Sequence, residues 1–590
     1  MTELSTVLSN FDKLTTPITE NSVSSAVREI HKDTDISPPP TEWLAEVMAF
    51  EFAENYTNKE TGWGTYFGPM WVLNDGDGTA SESPSIKRVS SEILNYWEGR
   101  AKVAQNPVLR ARYADLVWDF SKHVTGRGAH IDNARIAIDS LVAIATNNAH
   151  KREVDVIKKL ERALSLAISI NDADRINNVK GAILQYEDQV AQGDKPGLWG
   201  FSYDLLVGNK KVALSRKELD KIISDLEQRL QRISSKSESS SVDPWAVEAA
   251  ALRLSSHYRT ANQPDDMRRV LLLHGKAFEE VSKSGSPLLV SSWLQRVHHV
   301  YLEYGLKNEA EEIAVKLREI GPKTNEDMKS ISHTMEISKE EMTKYLDAMT
   351  DGSLHTVLAR LVFRFVPQKS KIEAQLYDLS KNAPLTFLIP KQIQDSKGRP
   401  VATIGSLEED LDGNIVHQMS QNMDLSAMFL NEVLKTVIAK FQLTPDILLD
   451  YLYGSPVFSE EKKAIIKNGL SAYFVNDHLL ASHLLIPQIE DAVRNLVEMT
   501  GGSVLKPSRG GGFQLKTLDD LLRDERIAKV LGEDATLYLR VLLTDQRSWN
   551  LRNDICHGIL PFESFNPIIS DRIVHALLCL ALVKKREDKQ

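Results

Sequence analysis

Apolar residues recur at helical spacing through the middle of the chain, from about residue 130 to residue 320. In the segment REVDVIKKLERALSLAISI they fall on one stripe of a helix, formed by Val154, Ile157, Leu160, Leu164 and Ile168. Paired helical segments follow, and the first helices of two successive pairs begin near residues 244 and 287, about 43 residues apart. This spacing predicts stacked helical hairpins over residues 126–345.

Hairpins of this size are typical of solenoids of the tetratricopeptide (TPR) or HEAT type, although no repeat consensus distinguishes the two. Residues 1–125, ahead of the hairpins, are predicted to form a polar tail followed by an aromatic-rich helical region. Eight of the nine tryptophans precede residue 300. We expect them to pack in the interior, because no cluster of polar side chains accompanies them to form a ligand site.

The pattern changes after the helical hairpins. β-type runs lie on either side of the turn-rich pentapeptide DSKGR, which predicts a small β-hairpin within a connector over residues 346–420. Long apolar-periodic helices return over residues 421–590, including HLLASHLLIPQIEDAVRNLVEM and one from about 535 to 557. Four or five such helices are enough for one bundle, so the sequence predicts a mainly α fold that ends in a helical bundle.

Composition favours a cytoplasmic protein of several domains. The chain has 590 residues, 42% of them hydrophobic, and its longest apolar run, IVHALLCLALV, is far shorter than a membrane-spanning helix. The N-terminus lacks the basic start and apolar stretch of a signal peptide. Two cysteines, Cys556 and Cys579, are too few for a disulfide framework or a cysteine-rich zinc site. We therefore expect no membrane partner.

The net charge of −10 argues against a general nucleic-acid coat protein. From residue 420 onward the chain carries 20 basic and 22 acidic residues, so most of the negative charge lies earlier. If a nucleic acid binds this protein, the C-terminal third repels it least.

One group of polar residues stands out in RSWNLRNDICHGIL, at residues 547–560. It places Arg552, Asn553 and His557 near the end of a predicted helix, and Gly558 suits the left-handed position that ends one. At 100° per residue, Asn553 and His557 lie about 40° apart around the helix, and Arg552 and His557 about 140° apart. We expect all three side chains to avoid the core.

Leu551 and Ile555 form the predicted core stripe of this helix, which leaves the polar side chains on a shared flank. An imidazole can shuttle protons near neutral pH, a guanidinium can bind two phosphate oxygens, and an amide can orient a hydroxyl or a phosphate. These groups suffice for metal-free attack of an RNA 2′-hydroxyl on the adjacent phosphate. The alternative is a helix C-terminus at which Arg and His only interact with the helix dipole.

LRNDICHG resembles the RNxxxHG signature of the family called domain of unknown function 4209, which in turn is similar to the R-x4-6-H motif of HEPN domains. The upstream DHLLASHLLIPQIEDAVR also resembles a stretch of that family, and the resemblance covers roughly residues 460–575. It implies a helical bundle that dimerises through the motif helices, and a metal-independent endoribonuclease without a cofactor. Arg552 and His557 match the two invariant HEPN residues, and Asn553 matches the polar residue that follows the arginine.

The second motif contributes four supporting residues: His483, Gln488, Glu490 and Arg494. Glu490 and Arg494 are four apart and can pair along one helix face. The pair either fixes the bundle or contacts substrate.

The glycine-rich SVLKPSRGGGFQLK lacks the pattern of a phosphate-binding loop and is predicted to be a mobile loop between helices. Its cations, Lys506, Arg509 and Lys516, are candidates for contact with RNA. No cluster of metal ligands accompanies them.

Cleavage of RNA benefits from both a base and an acid, but the motif supplies one histidine per chain. A homodimer would bring two copies each of His557 and Arg552 to one cleft, so we expect a composite site. Single-stranded or loop RNA is the expected substrate, and a protein or phage-derived trigger would act on the N-terminal helices of a bacterial defence or toxin effector. The alternative is a non-catalytic helical scaffold that binds RNA or protein.

Overall fold

The computed structural model describes most of the chain, namely residues 3–30, 40–54, 63–74, 80–192, 195–235, 242–329, 336–395 and 397–585. Two compact units, residues 1–316 and 317–590, make up the protein. Both are built mainly of α-helices, as predicted, with short two-stranded antiparallel sheets. No helix in the part of the chain described is long and apolar enough to cross a membrane.

The N-terminal unit is helical almost throughout. Its elements are α1 (Glu3–Lys13), α2 (Glu20–Glu29), α3 (Thr41–Glu51), β1 (Trp71–Asn74), β2 (Ala80–Ser83), a 3-10 helix (Ile86–Arg88), α4 (Ser91–Val103), α5 (Pro107–Thr125), α6 (Ile131–Thr146), α7 (Glu153–Ser169), α8 (Ala173–Val190), α9 (Phe201–Leu206), α10 (Arg216–Ser234), α11 (Pro244–Thr260), α12 (Pro264–Ser282) and α13 (Pro287–Glu303). Helix α14 (Lys307–Asp327) begins in this unit and continues into the next.

Neighbouring helices of the predicted hairpin region pack together, α7 with α8 and α11 with α12, and the assignment to a TPR or HEAT solenoid stays a prediction. α11 and α13 begin at Pro244 and Pro287, because proline favours the first turn of a helix. Leu160 and Leu164 of the predicted stripe are buried, but Val154 is 47% exposed because it lies in the first turn of α7. Between α10 and α11 the sequence contains the serine-rich segment SSKSESSSVD, which falls largely at 236–241, outside the described residues.

The predicted polar tail is wrong for most of the first thirty residues. They form α1 and α2, and α2 buries Val23 and Val27 completely in the core of the unit. Of the early tryptophans, Trp97 packs as predicted: it is fully buried and its Nε1 donates to the carbonyl of Ala45 at 3.0 Å. Trp71, in contrast, is 49% exposed.

The C-terminal unit contains α15 (Lys339–Met349), α16 (Leu354–Phe365), α17 (Lys369–Asn382), α18 (Pro384–Leu388), β3 (Lys391–Gln394), β4 (Pro400–Ile404), α19 (Leu411–Phe441), α20 (Pro445–Leu452), a 3-10 helix (Glu460–Lys462), α21 (Lys463–Phe474), α22 (His478–Met499), β5 (Leu505–Pro507), β6 (Phe513–Leu515), α23 (Leu518–Leu522), α24 (Glu525–Leu531), α25 (Glu533–Leu543), α26 (Leu551–Cys556), a 3-10 helix (Phe562–Ser564) and α27 (Pro567–Ala581). The β-hairpin predicted around DSKGR is confirmed as β3–β4.

Residues 346–420 are more than a connector. Val357, Leu358 and Leu361 of α16 are fully buried in the same apolar core as α19, α22 and α27. Arg572 of α27 is also fully buried, and its guanidinium donates to the carbonyls of Phe365 in α16 and Met423 in α19. The C-terminal core is therefore built from residues on both sides of position 420.

Candidate functional site

The motif residues lie on α26, a helix of only six residues, and not at the end of a long one. The predicted continuous helix from 535 to 557 is wrong, because α25 ends at Leu543 and Asn550 adopts a left-handed conformation (φ 49°) before α26 begins. Local polar contacts replace helical hydrogen bonds here. The Arg547 side chain pairs with Asp545, and the Ser548 hydroxyl donates to the carbonyl of Val541.

Arg552 is held by an acidic residue of the second motif. Its Nε donates to Glu490 Oε2 at 2.9 Å, and Arg494 Nη2 donates to the other oxygen of the same carboxylate at 3.0 Å. The predicted pairing of Glu490 with Arg494 along α22 is thus confirmed. Glu490 also connects α22 to α26, a link between distant segments that the spacing along α22 did not predict.

The amide of Asn553 is engaged within the protein. Its Oδ1 accepts from Arg552 Nη1 at 3.1 Å, and its Nδ2 donates to Asn550 Oδ1 at 2.7 Å and, more weakly, to the carbonyl of Thr544 at 3.5 Å. Asn553 therefore orients Arg552 and fastens α26 to the loop that precedes it.

His557 caps the C-terminus of α26 and is exposed to solvent. Gly558 follows in the predicted left-handed conformation (φ 65°), and the amides of Gly558 and Ile559 donate to the carbonyls of Ile555 and Asp554. These two bonds form a Schellman motif. Among the residues that the structure describes, the imidazole of His557 has no hydrogen-bond partner. It therefore remains available to a ligand.

Leu551 and Ile555 anchor the helix as predicted, with 3% and 4% of their surfaces exposed. Their burial leaves the polar flank of α26 toward solvent. Arg552 and His557 share no hydrogen bond within the described chain, in keeping with their wide separation around the helix. A ligand would have to bridge them.

Sequence reasoning passed over Asp554, the acidic residue inside RNDICHG. The pKa of its carboxyl is raised above the ordinary value, mainly by burial and also by the negative charge of Asp395. A hydrogen bond from Asn550 at 3.0 Å and the nearby His557 lower the pKa but do not cancel this rise. Asp554 precedes His557 by three residues, a spacing that places two side chains next to each other on a helix, so the sequence could have indicated it. Asp554 places an acidic group beside the histidine.

Cys556 is exposed next to the arginine of the motif. Partial burial raises the pKa of its thiol, the Arg552 charge lowers it and the Glu490 charge raises it. Because the net direction is upward, the neutral thiol is favoured, which makes Cys556 a poor nucleophile.

Two supporting residues of α22 are not joined to the motif. His483 stacks on the ring of Phe565 with centroids 5.2 Å apart, and its Nδ1 is bonded to the carbonyl of Leu479. Gln488 is 8% exposed, and its Oε1 has no partner among the described residues. Of the four supporting side chains on α22, only Glu490 reaches the motif directly, with Arg494 behind it.

The glycine-rich segment is not a simple loop. It forms the antiparallel hairpin β5–β6 around residues 508–512, where Gly511 and Gly512 adopt positive φ angles. Lys506 pairs with Asp520 at 2.5 Å, and Lys516 lies 4.0 Å from Asp524. Of the three predicted RNA-contacting cations, only Arg509 has no acidic partner in the described chain.

Two sizeable cavities lie away from the motif. One of about 520 Å³ in the C-terminal unit is lined by residues of α16, α25 and α27 and contains none of the predicted site residues. A cleft of about 660 Å³ in the N-terminal unit has a buried ion network at its base, in which Lys159 contacts Glu20 and Glu54. Burial lowers the pKa of Lys159, but these carboxylates raise it above its ordinary value. No grouping of three or more His, Cys, Asp or Glu side chains suited to a metal ion occurs in the described ranges.

Part of the chain is similar to a known protein family. A family model described as a domain of unknown function, DUF7380, matches residues 44–179 in the N-terminal unit. No curated protein and no solved structure matches the chain. The matched residues do not include α22 or α26, so the resemblance of those helices to the family called domain of unknown function 4209 stays a prediction.

Proposed function

We propose that this protein is a metal-independent endoribonuclease of HEPN type, with its active site at α26. The observation that carries the proposal is the imidazole of His557, which is exposed and has no hydrogen-bond partner among the described residues. It lies at the end of the helix on which the guanidinium of Arg552 is held in place. His557 would transfer protons to and from the 2′-oxygen and the departing 5′-oxygen. Arg552 would stabilise the negative charge that develops on the phosphate.

The contacts of Arg552 support a preorganised role. Glu490 and Asn553 each bind one nitrogen of the guanidinium, and no partner of its remaining nitrogen appears among the described residues. A fixed guanidinium stabilises developing charge with little reorganisation. The Glu490 carboxylate is shared with Arg494, so it is not dedicated to neutralising Arg552.

A second copy of the chain would complete the site. The segment directly after the motif exposes apolar side chains, with Ile559 39%, Phe562 73% and Ile568 42% exposed. We call these three residues the apolar rim. Exposed apolar groups of this kind often mark an interface. Dimerisation over the rim would supply the second histidine that cleavage requires.

Cleavage of a labelled single-stranded RNA by the purified full chain in EDTA tests the proposal. We expect His557→Ala and Arg552→Ala each to lower the cleavage rate at least 100-fold. His130→Ala is the matched control, because His130 has a 71% exposed side chain in the other unit. Absence of cleavage by the parent protein, or equal rates for the parent and His557→Ala, would contradict the proposal.

The dimer has a separate test. Phe562→Glu places a charge in the apolar rim and leaves the motif side chains in place. We expect it to yield a monomer in sedimentation velocity and to lose cleavage, whereas Phe363→Glu, at a residue 75% exposed, should do neither. A monomer that retains full cleavage activity would refute the composite site.

The second candidate, a helical scaffold that binds RNA or protein, is favoured by one contact. The Glu490 carboxylate partly neutralises Arg552, which is the arrangement expected of a purely structural pair. A scaffold predicts RNA or protein binding that is insensitive to His557→Ala and no cleavage under any condition. A role as the effector of a bacterial defence or toxin system belongs to the endoribonuclease proposal and not to the scaffold.

A further inference from the structure

The hairpin β5–β6 presents an apolar face that nothing in the described chain covers. The register pairs Leu505 with Leu515 and Pro507 with Phe513, so these four side chains share one face of the two strands. Leu505 is 46%, Leu515 52% and Phe513 74% exposed. Short hairpins normally bury one face, so this exposure calls for a partner.

The opposite face holds the hairpin on the C-terminal unit. Lys506, on that face, pairs with Asp520 of α23, and Val504, which precedes β5, is buried in the core. The amide of Lys516 donates to the carbonyl of Val504 at 2.8 Å and extends the strand pairing. The apolar face is therefore directed away from the body that anchors the hairpin.

Charge distinguishes the kind of partner. The segment from 503 to 516 contains no acidic residue, in a chain of net charge −10. Of its three cations, Lys506 and Lys516 lie beside Asp520 and Asp524, so Arg509 carries the positive charge that has no acidic partner in the described chain. Arg509 lies in the loop at the tip, is exposed and has no hydrogen bond or ion pair within the described residues. A basic tip beside an exposed aromatic ring is complementary to a polyanion that also offers flat apolar rings.

A chain of contacts connects the hairpin to the candidate active site. Asp520, the partner of Lys506, lies on α23 beside Asp519, which accepts a hydrogen bond from the Thr544 hydroxyl at 3.0 Å. The carbonyl of Thr544 accepts in turn from Asn553 of the motif. The hairpin and α26 are thus attached to the same small helix and its neighbouring loop.

We infer that β5–β6 is a stacking platform for single-stranded RNA, in which an unpaired base stacks on Phe513 and Arg509 binds the adjacent phosphate. The inference rests on the proposed function, since it supplies the strand that α26 would cut. Bases stacked in a duplex do not offer a free face to an isolated phenyl ring, so unpaired nucleotides are required. Leu505 and Leu515 would provide apolar contact on either side.

The test is binding of a fluorescein-labelled 20-nucleotide oligouridine by anisotropy, on the full chain carrying His557→Ala to prevent cleavage. We expect Phe513→Ala to weaken binding roughly 5- to 100-fold. Phe513→Tyr should bind like the parent, and Phe513→Leu should be as weak as Phe513→Ala, because leucine lacks the ring. The matched control is Phe363→Ala, at an equally exposed phenylalanine of the same unit. Arg509→Gln should reduce the slope of log affinity against log salt by about 0.7.

Three results would overturn the platform. The first is binding by Phe513→Ala within twofold of the parent, and the second is a 20-base-pair RNA duplex that binds as tightly as the single strand. The third is the finding that Phe513→Ala leaves RNA binding unchanged but alters the oligomeric state of the protein or its binding to anionic vesicles. RNA binding that depends on Phe513 without any cleavage by the parent would reject the nuclease and retain the platform. If the parent cleaves RNA but its RNA binding does not depend on Phe513, the platform is rejected and the nuclease is retained.

Discussion

Acid should destabilise the C-terminal unit through a buried histidine of α27. His575 is fully buried; with its proton on Nε2, it donates to the carbonyl of Leu361 at 3.3 Å and accepts from the Tyr538 hydroxyl at 2.8 Å. Burial, reinforced by the charge of Arg572, lowers the pKa of His575 to about 3. The ring is neutral in the folded protein, whereas in an unfolded chain a histidine has a pKa of about 6.5.

The sign and size of the effect follow from this difference. Because the folded pKa lies below the unfolded one, the unfolded chain binds the proton first as the pH falls. The stability that neutral His575 contributes is complete above pH 6.5 and is lost progressively as the pH falls toward 3. Between pH 7 and pH 5 the loss is about 2 kcal/mol, or about 25-fold in the unfolding equilibrium constant.

The buried thiol of Cys579 provides a local measurement. Cys579 is 4% exposed and lies one helical turn from His575, so it becomes reactive when α27 opens. In a Cys556→Ser background, the reaction of Cys579 with a disulfide reagent that works in acid is followed against urea at pH 7, 6 and 5. The urea dependence yields the free energy of opening at each pH.

His575→Gln separates this histidine from all other titrating groups. Glutamine can still donate to Leu361 and accept from Tyr538, but it does not titrate. We expect the free energy of opening to fall by about 2 kcal/mol less in His575→Gln than in the parent between pH 7 and pH 5. Equal pH dependence in the two proteins would refute the reasoning.

Two further predictions concern the candidate site. Glu490→Gln should lower the free energy of unfolding, measured by urea titration, by about 1–2 kcal/mol, because it leaves Arg494 and Arg552 as partly buried neighbouring cations. The control is Glu432→Gln, which breaks an exposed ion pair and should lower the free energy of unfolding by less than about 0.5 kcal/mol. Gly558→Ala should cost about 1–2 kcal/mol and Gly558→Asn less, since no atom lies within 4 Å of an added Cβ and only the left-handed backbone opposes the change. A loss in Gly558→Asn as large as in Gly558→Ala would contradict that explanation.

Local sequence signals located several of the helices. The apolar period predicted α22, which spans His478–Met499, and the structure shows that Asp477 caps its N-terminus. Gly558 was predicted to end its helix, and it does so because a left-handed residue without a Cβ satisfies the last carbonyls. Burial of Leu551 and Ile555 likewise follows from their four-residue spacing. Such features depend on neighbours along the chain.

Other features depend on partners far along the chain, and only the tertiary structure decided them. The ion pair between Arg552 and Glu490 joins residues 62 positions apart. Asp520 of α23 pairs with Lys506, and Asp524, which caps the N-terminus of α24, lies near Lys516, so that only Arg509 of these cations lacks an acidic partner in the described chain. The break before α26 also escaped prediction, because Leu543 and Leu551 fit one helical stripe although polar contacts fold the residues between them into a loop. Periodicity reports which side of a helix is apolar, whereas charge pairing and helix continuity are determined by the neighbours that folding brings together.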